Sequence, residues 1–189
     1  KTLFPYTTLF RSVDIVSLMK SIDEGAMPLL APIYVLTLSR YRERHDFMES
    51  SLSSLGVDFT LIEGVDGFNL SEDTVFRSQQ ASMRIGGQPL TPGEVGCAMG
   101  HMKIYREFLK SEHRFALILE DDVKIGSGLK IVVNHLISTR FDFDYINFVS
   151  DNGEKIIQDL TDIYSLTRFI ASPNRASCYL ISRLAAETF

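Results

Sequence analysis

The alternation of apolar and polar positions from Pro28 onward divides the chain into strand-like and helix-like segments. Pro32 precedes I-Y-V-L-T-L (Ile33 to Leu38), whose apolar and β-branched content predicts a first strand. Ser39 then offers an N-cap to a helix from about Tyr41 to Leu55, where Phe47, Met48, Leu52 and Leu55 recur at near-helical spacing. Gly56 suits the residue after the helix, because glycine adopts positive φ without a Cβ clash. A second strand, about Asp58 to Glu63, runs into G-V-D-G; Phe68 to Gln88 is polar, glycine-punctuated and only weakly helical.

Thr91-Pro92-Gly93-Glu94 is a stronger local signal. Thr91 can cap, Pro92 fits the first helical position, and Glu94 completes a capping box. The helix it starts should run to about Lys110, with Val95, Ala98, Met99, Met102, Tyr105 and Leu109 as its apolar face. A strand at Phe115, a helix near Leu129 to Ser138 and a strand near Tyr145 to Val149 follow. A last strand, Cys178 to Ile181, leads into a helix from about Arg183. Strands alternating with helices predict one α/β domain around a largely parallel sheet.

The third strand carries the anomaly. Phe115 to Val123 reads F-A-L-I-L-E-D-D-V, five apolar residues followed by three carboxylates. If strand alternation continues, Glu120 and Asp122 share a face roughly 6.6 Å apart and Asp121 points the other way. At an effective dielectric of about 20, two charges at that separation repel by about 2.5 kcal/mol. Water, a basic side chain or a metal ion must offset that cost.

In an open α/β sheet, ligands bind beyond the carboxyl ends of the strands. Three polar groups fall there: Ser39, Arg40, Arg42 and Arg44 after the first strand, Val65-Asp66-Gly67 after the second, and Glu120-Asp121-Asp122 after the third. Acids beside bases around one crevice suit a metal-bound diphosphate, with Mg²⁺ or Mn²⁺ on the carboxylates. Each group also has a plain reading: a solvated arginine face, a turn, a strand end in water. Taken alone, His101 would be a core histidine with one satisfied nitrogen.

Composition narrows the classes. The chain has 189 residues, of which 45% are hydrophobic and 23% charged, as expected for a globular domain. A formal net charge of -5 gives no support to a nucleic-acid surface. Cys97 and Cys178 lack metal-ligand spacing with each other and read as reduced core residues. No apolar run reaches the roughly 20 residues of a membrane span. These features favour a soluble, cytoplasmic protein of bacterial origin. Residues 2–12 (T-L-F-P-Y-T-T-L-F-R-S) match the translation of a sequencing adapter. Residues 1–26 are therefore expected to be an artefact or disordered, with a single domain over 27–189 that stops inside a helix.

The combination of I-Y-V-L-T-L-S-R-Y-R-E-R, V-D-G, L-T-P-G-E-V-G-C-A-M-G-H, F-A-L-I-L-E-D-D-V and C-Y-L-I-S-R-L-A-A-E, in that order, resembles glycosyltransferase family 25. The family includes lipooligosaccharide galactosyltransferases of bacteria and collagen galactosyltransferases. The resemblance implies a GT-A type, Rossmann-like fold, here truncated at its C-terminus. It further implies inverting transfer of a hexose, galactose or glucose, from a UDP-sugar to a glycan or lipooligosaccharide acceptor, at or near the inner membrane. By it, Glu120 and Asp122 stand where such enzymes hold Mn²⁺ or Mg²⁺. Leu38, Ser39, Arg40, Arg44, Asp66, His101 and Asp121 become donor-binding candidates, and Asp122 and Asp151 catalytic ones, Asp151 as the base. Gly100 replaces a residue often serine in the family. Two alternatives stand beside this reading: a catalytically incomplete nucleotide-sugar binding fragment, and a response-regulator receiver. The receiver places its acid pocket on the first strand and a phospho-acceptor Asp about 45 residues later, where this chain has Leu166.

Overall fold

The computed structural model describes residues 28–85, 87–138, 143–148, 155–159, 165–168 and 176–188, the segments 155–159 and 165–168 by backbone alone. Seven strands are described: β1 (Ile33–Thr37), β2 (Phe59–Glu63), β3 (Phe115–Glu120), β4 (Tyr145–Asn147), β5 (Lys155–Asp159), β6 (Ser165–Arg168) and β7 (Cys178–Ser182). The helices are α1 (Arg42–Ser54), α2 (Glu72–Arg84), α3 (Pro92–Phe108), α4 (Leu129–Ser138) and α5 (Arg183–Thr188), with a 3₁₀ turn at Gly67–Asn69.

Five strands form one sheet in the order β2-β1-β3-β7-β4. β1 pairs in parallel with β2 and β3, whereas β7 is antiparallel to both β3 and β4. All of these strands except β7 therefore point the same way, and the domain is α/β with a sheet that is parallel at its centre. The sequence predicted the parallel part but not the reversal, because hydrophobicity marks a strand as buried and says nothing about its direction. β5 and β6 form a separate antiparallel pair. Neither was anticipated from the sequence.

Alternation along each strand feeds two cores. Ile33, Val35, Leu117, Leu119 and Leu180 pack with Met48 and Leu52 of α1 and Val132, Val133 and Leu136 of α4. Tyr34, Leu36, Ile118, Tyr179 and Ile181 pack with Ile104 and Phe108 of α3. Covering on both faces explains why the strands are apolar runs rather than alternating ones. On α4, Asn134 accepts from the Leu30 amide at 2.8 Å and donates to the Pro28 carbonyl at 2.9 Å, fixing the chain as it enters β1.

Three details differ from expectation. α1 starts at Arg42, its N-cap is Tyr41 without a side-chain cap, and Ser39 does not cap it. A turn closed by the Tyr41 amide on the Leu38 carbonyl at 2.8 Å intervenes, and the Ser39 amide is engaged by Glu63. The polar excursion contains α2, capped by Ser71 on the Thr74 amide, with no residue buried. The helix is held by its cap and the Arg77–Asp73 ion pair at 2.9 Å, and its large apolar residues Phe76 and Met83 are exposed.

The capping box at Thr91 and Glu94 is present, and Gly56 has φ 60°. The buried stripe of α3, however, is Val95, Gly96, Gly100, His101, Ile104 and Phe108, while Ala98 and Met102 face solvent. The glycines set this rotation. A Cβ on Gly96 would lie 2.4 Å from the Val65 carbonyl oxygen, and one on Gly100 would lie 2.8 Å from Leu36 Cδ1. Close approach, rather than side-chain hydrophobicity, decides which face of α3 meets the sheet.

Candidate functional site

Parallel register brings the ends of β1, β2 and β3 to one edge: Thr37 lies opposite Glu63, and Leu36 opposite Glu120. Beyond that edge lies a crevice of about 220 Å³, lined among others by Leu38, Arg40, Arg44, Asp66, Glu120, Asp121 and Asp122. Seven of the residues singled out in the sequence thus line one cavity. Ser39, which is exposed, and His101, which is buried, are not among its lining residues. Asp151 lies outside the described residues.

The basic turn and the acids engage directly. Arg40 forms an ion pair with Asp66, whose other oxygen accepts from the Phe68 amide at 3.1 Å and so caps the 3₁₀ turn. Arg44 Nη1 lies 3.2 Å from Asp121 and 3.5 Å from Asp122. Asp121 is 7% exposed and also accepts from Thr37 Oγ1 at 2.9 Å. The hydrogen bond to Asp121 raises the Arg44 pKa further, so its charge is permanent. Both guanidinium carbons stand over the Tyr41 ring, at 4.8 Å for Arg40 and 5.0 Å for Arg44, within cation–π range.

The expected alternation of the acidic triplet does not hold, because β3 ends at Glu120 and the chain turns. Asp121 and Asp122 both reach Arg44, rather than pointing to opposite sides. Glu120 faces α3 instead: its Oε1 lies 3.1 Å from His101 Nε2 and accepts from Cys97 Sγ at 3.3 Å. These contacts, His101 foremost, hold the Glu120 carboxyl below its ordinary range despite burial.

His101 is buried at 7% exposure, and both its nitrogens are engaged. Nδ1 lies 2.8 Å from the Tyr179 hydroxyl, which lies 2.9 Å from that of Tyr105. With Nε2–H donating to the carboxylate, Nδ1 accepts from Tyr179 and Tyr179 accepts from Tyr105. Burial raises the pKa of both phenols, keeping them protonated as donors.

Cys97 departs from its core assignment: it is solvent-exposed, whereas Cys178 is buried as expected. The Cys97 sulfur nevertheless turns toward Glu120, and desolvation followed by that carboxylate pushes the thiol up to about 12. Tyr41, Thr37, Cys97 and Tyr179 were not singled out as site residues. All four lie inside the motif runs quoted above, and Tyr41 stands there between two of the arginines.

A hard divalent cation fits the chemistry of this donor set. Glu120 and Asp122 both line the crevice, and the Asp122 side chain is 52% exposed. Two carboxylates suffice where phosphate oxygens and water complete the shell.

Residues 30–189 match the family described as glycosyltransferase family 25 (LPS biosynthesis protein). The chain is 27% identical over 124 residues to procollagen galactosyltransferase 1-B of Xenopus laevis, covering 60% of this chain and 20% of that protein. It is 30% identical over 104 residues to procollagen galactosyltransferase 2 of Homo sapiens, covering 52% and 16%. To a human protein named inactive glycosyltransferase 25 family member 3 the identity is 29% over 104 residues, covering 52% and 17%. The chain therefore spans a fifth or less of the length of these relatives. It belongs to glycosyltransferase family 25.

Proposed function

We propose that this member of glycosyltransferase family 25 binds a UDP-sugar in the crevice at the ends of β1, β2 and β3 and takes part in inverting transfer of its hexose, galactose or glucose, to a glycan acceptor such as lipooligosaccharide. The observation that carries the reading is the meeting of Arg40, Arg44, Asp66, Glu120, Asp121 and Asp122 around one crevice. Fixed cations beside hydrated carboxylates are the arrangement a metal-bound diphosphate needs.

Each residue has a part in this scheme. Glu120 and Asp122 would hold Mn²⁺ or Mg²⁺, which when bound supplies a Lewis acid for the departing UDP. Arg40 and Arg44 set positive charge against the diphosphate, and Asp121, itself fixed by Thr37, holds Arg44 in place. His101, braced by Tyr179, aims the Glu120 carboxylate. Tyr41 and Phe68, 41% and 76% exposed on the crevice wall, offer aromatic faces to a nucleobase. The acceptor hydroxyl requires a carboxylate base, the role assigned here to Asp151. Among the described residues no helix is long and apolar enough to cross a membrane.

Calorimetric titration of UDP with and without Mn²⁺, joined to a UDP-release assay across a panel of UDP-sugars, tests the proposal. Metal-dependent binding with turnover supports it. Absence of UDP binding under either condition overturns it. Binding without turnover favours a nucleotide-sugar binding module, a second reading prompted by the relative whose name marks it inactive. The receiver alternative has no support: the acidic group ends the third strand, not the first, and β7 breaks the parallel order.

A further inference from the structure

We propose that Cys97, His101 and Glu120 form a binding site for a thiophilic divalent cation of the zinc type, separate in chemistry from the Glu120–Asp122 pair. One ligand atom from each of the three residues lies within 4.8 Å of the others. Two of the separations are 3.1 Å, from His101 Nε2 to Glu120 Oε1, and 3.3 Å, from Cys97 Sγ to the same oxygen. Ligand atoms placed tetrahedrally at about 2.0–2.3 Å from zinc stand roughly 3.3–3.6 Å apart, so both contacts to Glu120 Oε1 are already close to ligand spacing.

The fold supplies this arrangement from rigid elements. Cys97 and His101 are four residues apart on α3 and share one of its faces. Glu120 ends β3 opposite them. His101 Nδ1 is already paired with the Tyr179 hydroxyl at 2.8 Å, the kind of outer contact that fixes the orientation of a metal-bound imidazole. With Nε2 on the metal, the proton sits on Nδ1 and Tyr179 becomes the acceptor there, donating in turn to Tyr105. The Cys97 thiol releases its proton to solvent as the S–metal bond forms. Cys97 and Glu120 line the crevice, leaving a fourth position open to water.

Ligand softness separates the two uses of Glu120. A thiolate and an imidazole favour zinc or cobalt over magnesium or manganese, whereas the Asp122 side offers oxygen alone. An ion held by Cys97 and His101 would therefore compete with the donor metal for one carboxylate. Binding itself does not rest on the UDP-sugar reading.

Cobalt serves as the probe, because thiolate ligation gives a near-ultraviolet charge-transfer band that oxygen ligands do not. Titrating Co²⁺ into the chelator-treated protein should produce that band, and Zn²⁺ should abolish it. Cys97→Ser should remove it while circular dichroism stays native, since Cys97 is exposed. His45→Ala should leave it unchanged, testing the other convergent group, His45, Asp46 and Glu49. No band in the wild type, or an undiminished band in Cys97→Ser, overturns the proposal. Both results are read without UDP, so failure of UDP binding leaves them interpretable.

Discussion

His101 joins Glu120 to Tyr179 across the crevice wall, with Nε2 at 3.1 Å from the carboxylate and Nδ1 at 2.8 Å from the phenol. A helix, a central strand and an antiparallel strand thus meet in one polar chain inside an apolar layer. Tyr179→Phe would leave the buried Nδ1 without its donor and Tyr105 with one partner fewer. An unsatisfied buried group costs about 1–3 kcal/mol, so urea denaturation should show a loss of that order. A change below about 0.5 kcal/mol, the range of ordinary surface substitutions, would mean that water replaces the hydroxyl without cost.

The same contact sets a pH dependence. The Glu120 carboxyl is depressed in the folded protein by His101, so its stabilising contribution is present above the unfolded-state carboxylate pKa. It is lost as pH falls from there through the folded value. Glu120→Gln should flatten stability between roughly pH 5 and the folded pKa, measured as melting temperature against pH. An acid limb of unchanged steepness in the variant would assign the effect to other carboxylates.

Asp122 separates ligand binding from folding. Its side chain is 52% exposed and its ion-pair partner is Arg44 at 3.5 Å, so Asp122→Asn should shift stability by no more than about 0.5 kcal/mol. Manganese-dependent UDP binding should fall more than about tenfold in calorimetry, because an amide is a poorer ligand for a hard cation. Undiminished metal dependence would remove Asp122 from the metal site.

Arg40 and Arg44 are both half-exposed yet line the crevice. Replacing both with Gln should weaken UDP by at least about 1.4 kcal/mol, a factor of ten, as expected for loss of charge-assisted contacts to phosphate. Equal affinity in the two proteins would return the run to a solvated face.

Gly96 and Gly100 should differ as alanines. The Cβ at Gly96 meets backbone, the Val65 carbonyl oxygen at 2.4 Å and the Gly67 nitrogen at 2.6 Å. At Gly100 it meets the tip of Leu36, at 2.8 Å and 3.0 Å, which can rotate away. Gly96→Ala should cost about 1–3 kcal/mol by overpacking and also distort the crevice, with Gly100→Ala the milder change. The reverse order in denaturant midpoints would show that the backbone of Val65 and Gly67 after β2 yields more readily than the Leu36 side chain.

Elements with dense local signals are legible in the sequence. β1, β3 and β7 announce themselves as short apolar runs, and α3 by Thr91, Pro92 and Glu94. The crevice residues are legible because their positions after successive parallel strands place them at one edge. His101 is a candidate by the family resemblance, but its contact with Glu120, and that of Cys97, is obscured because each looks like an ordinary helical residue until α3 is docked. α2 is obscured because none of its residues is buried.

The sequence by itself determined the α/β class, the family and the set of polar residues at the strand ends, since these follow from periodicity, capping and motif order along the chain. Tertiary structure alone decided the direction of β7, the face α3 presents and the partners of each acid. Those depend on contacts between residues far apart in sequence: Thr37 with Asp121, Arg44 with both aspartates, and Glu120 with His101. A carboxylate's role is fixed by what stands within hydrogen-bond distance of it. Local sequence fixes only that it lies at the end of a strand.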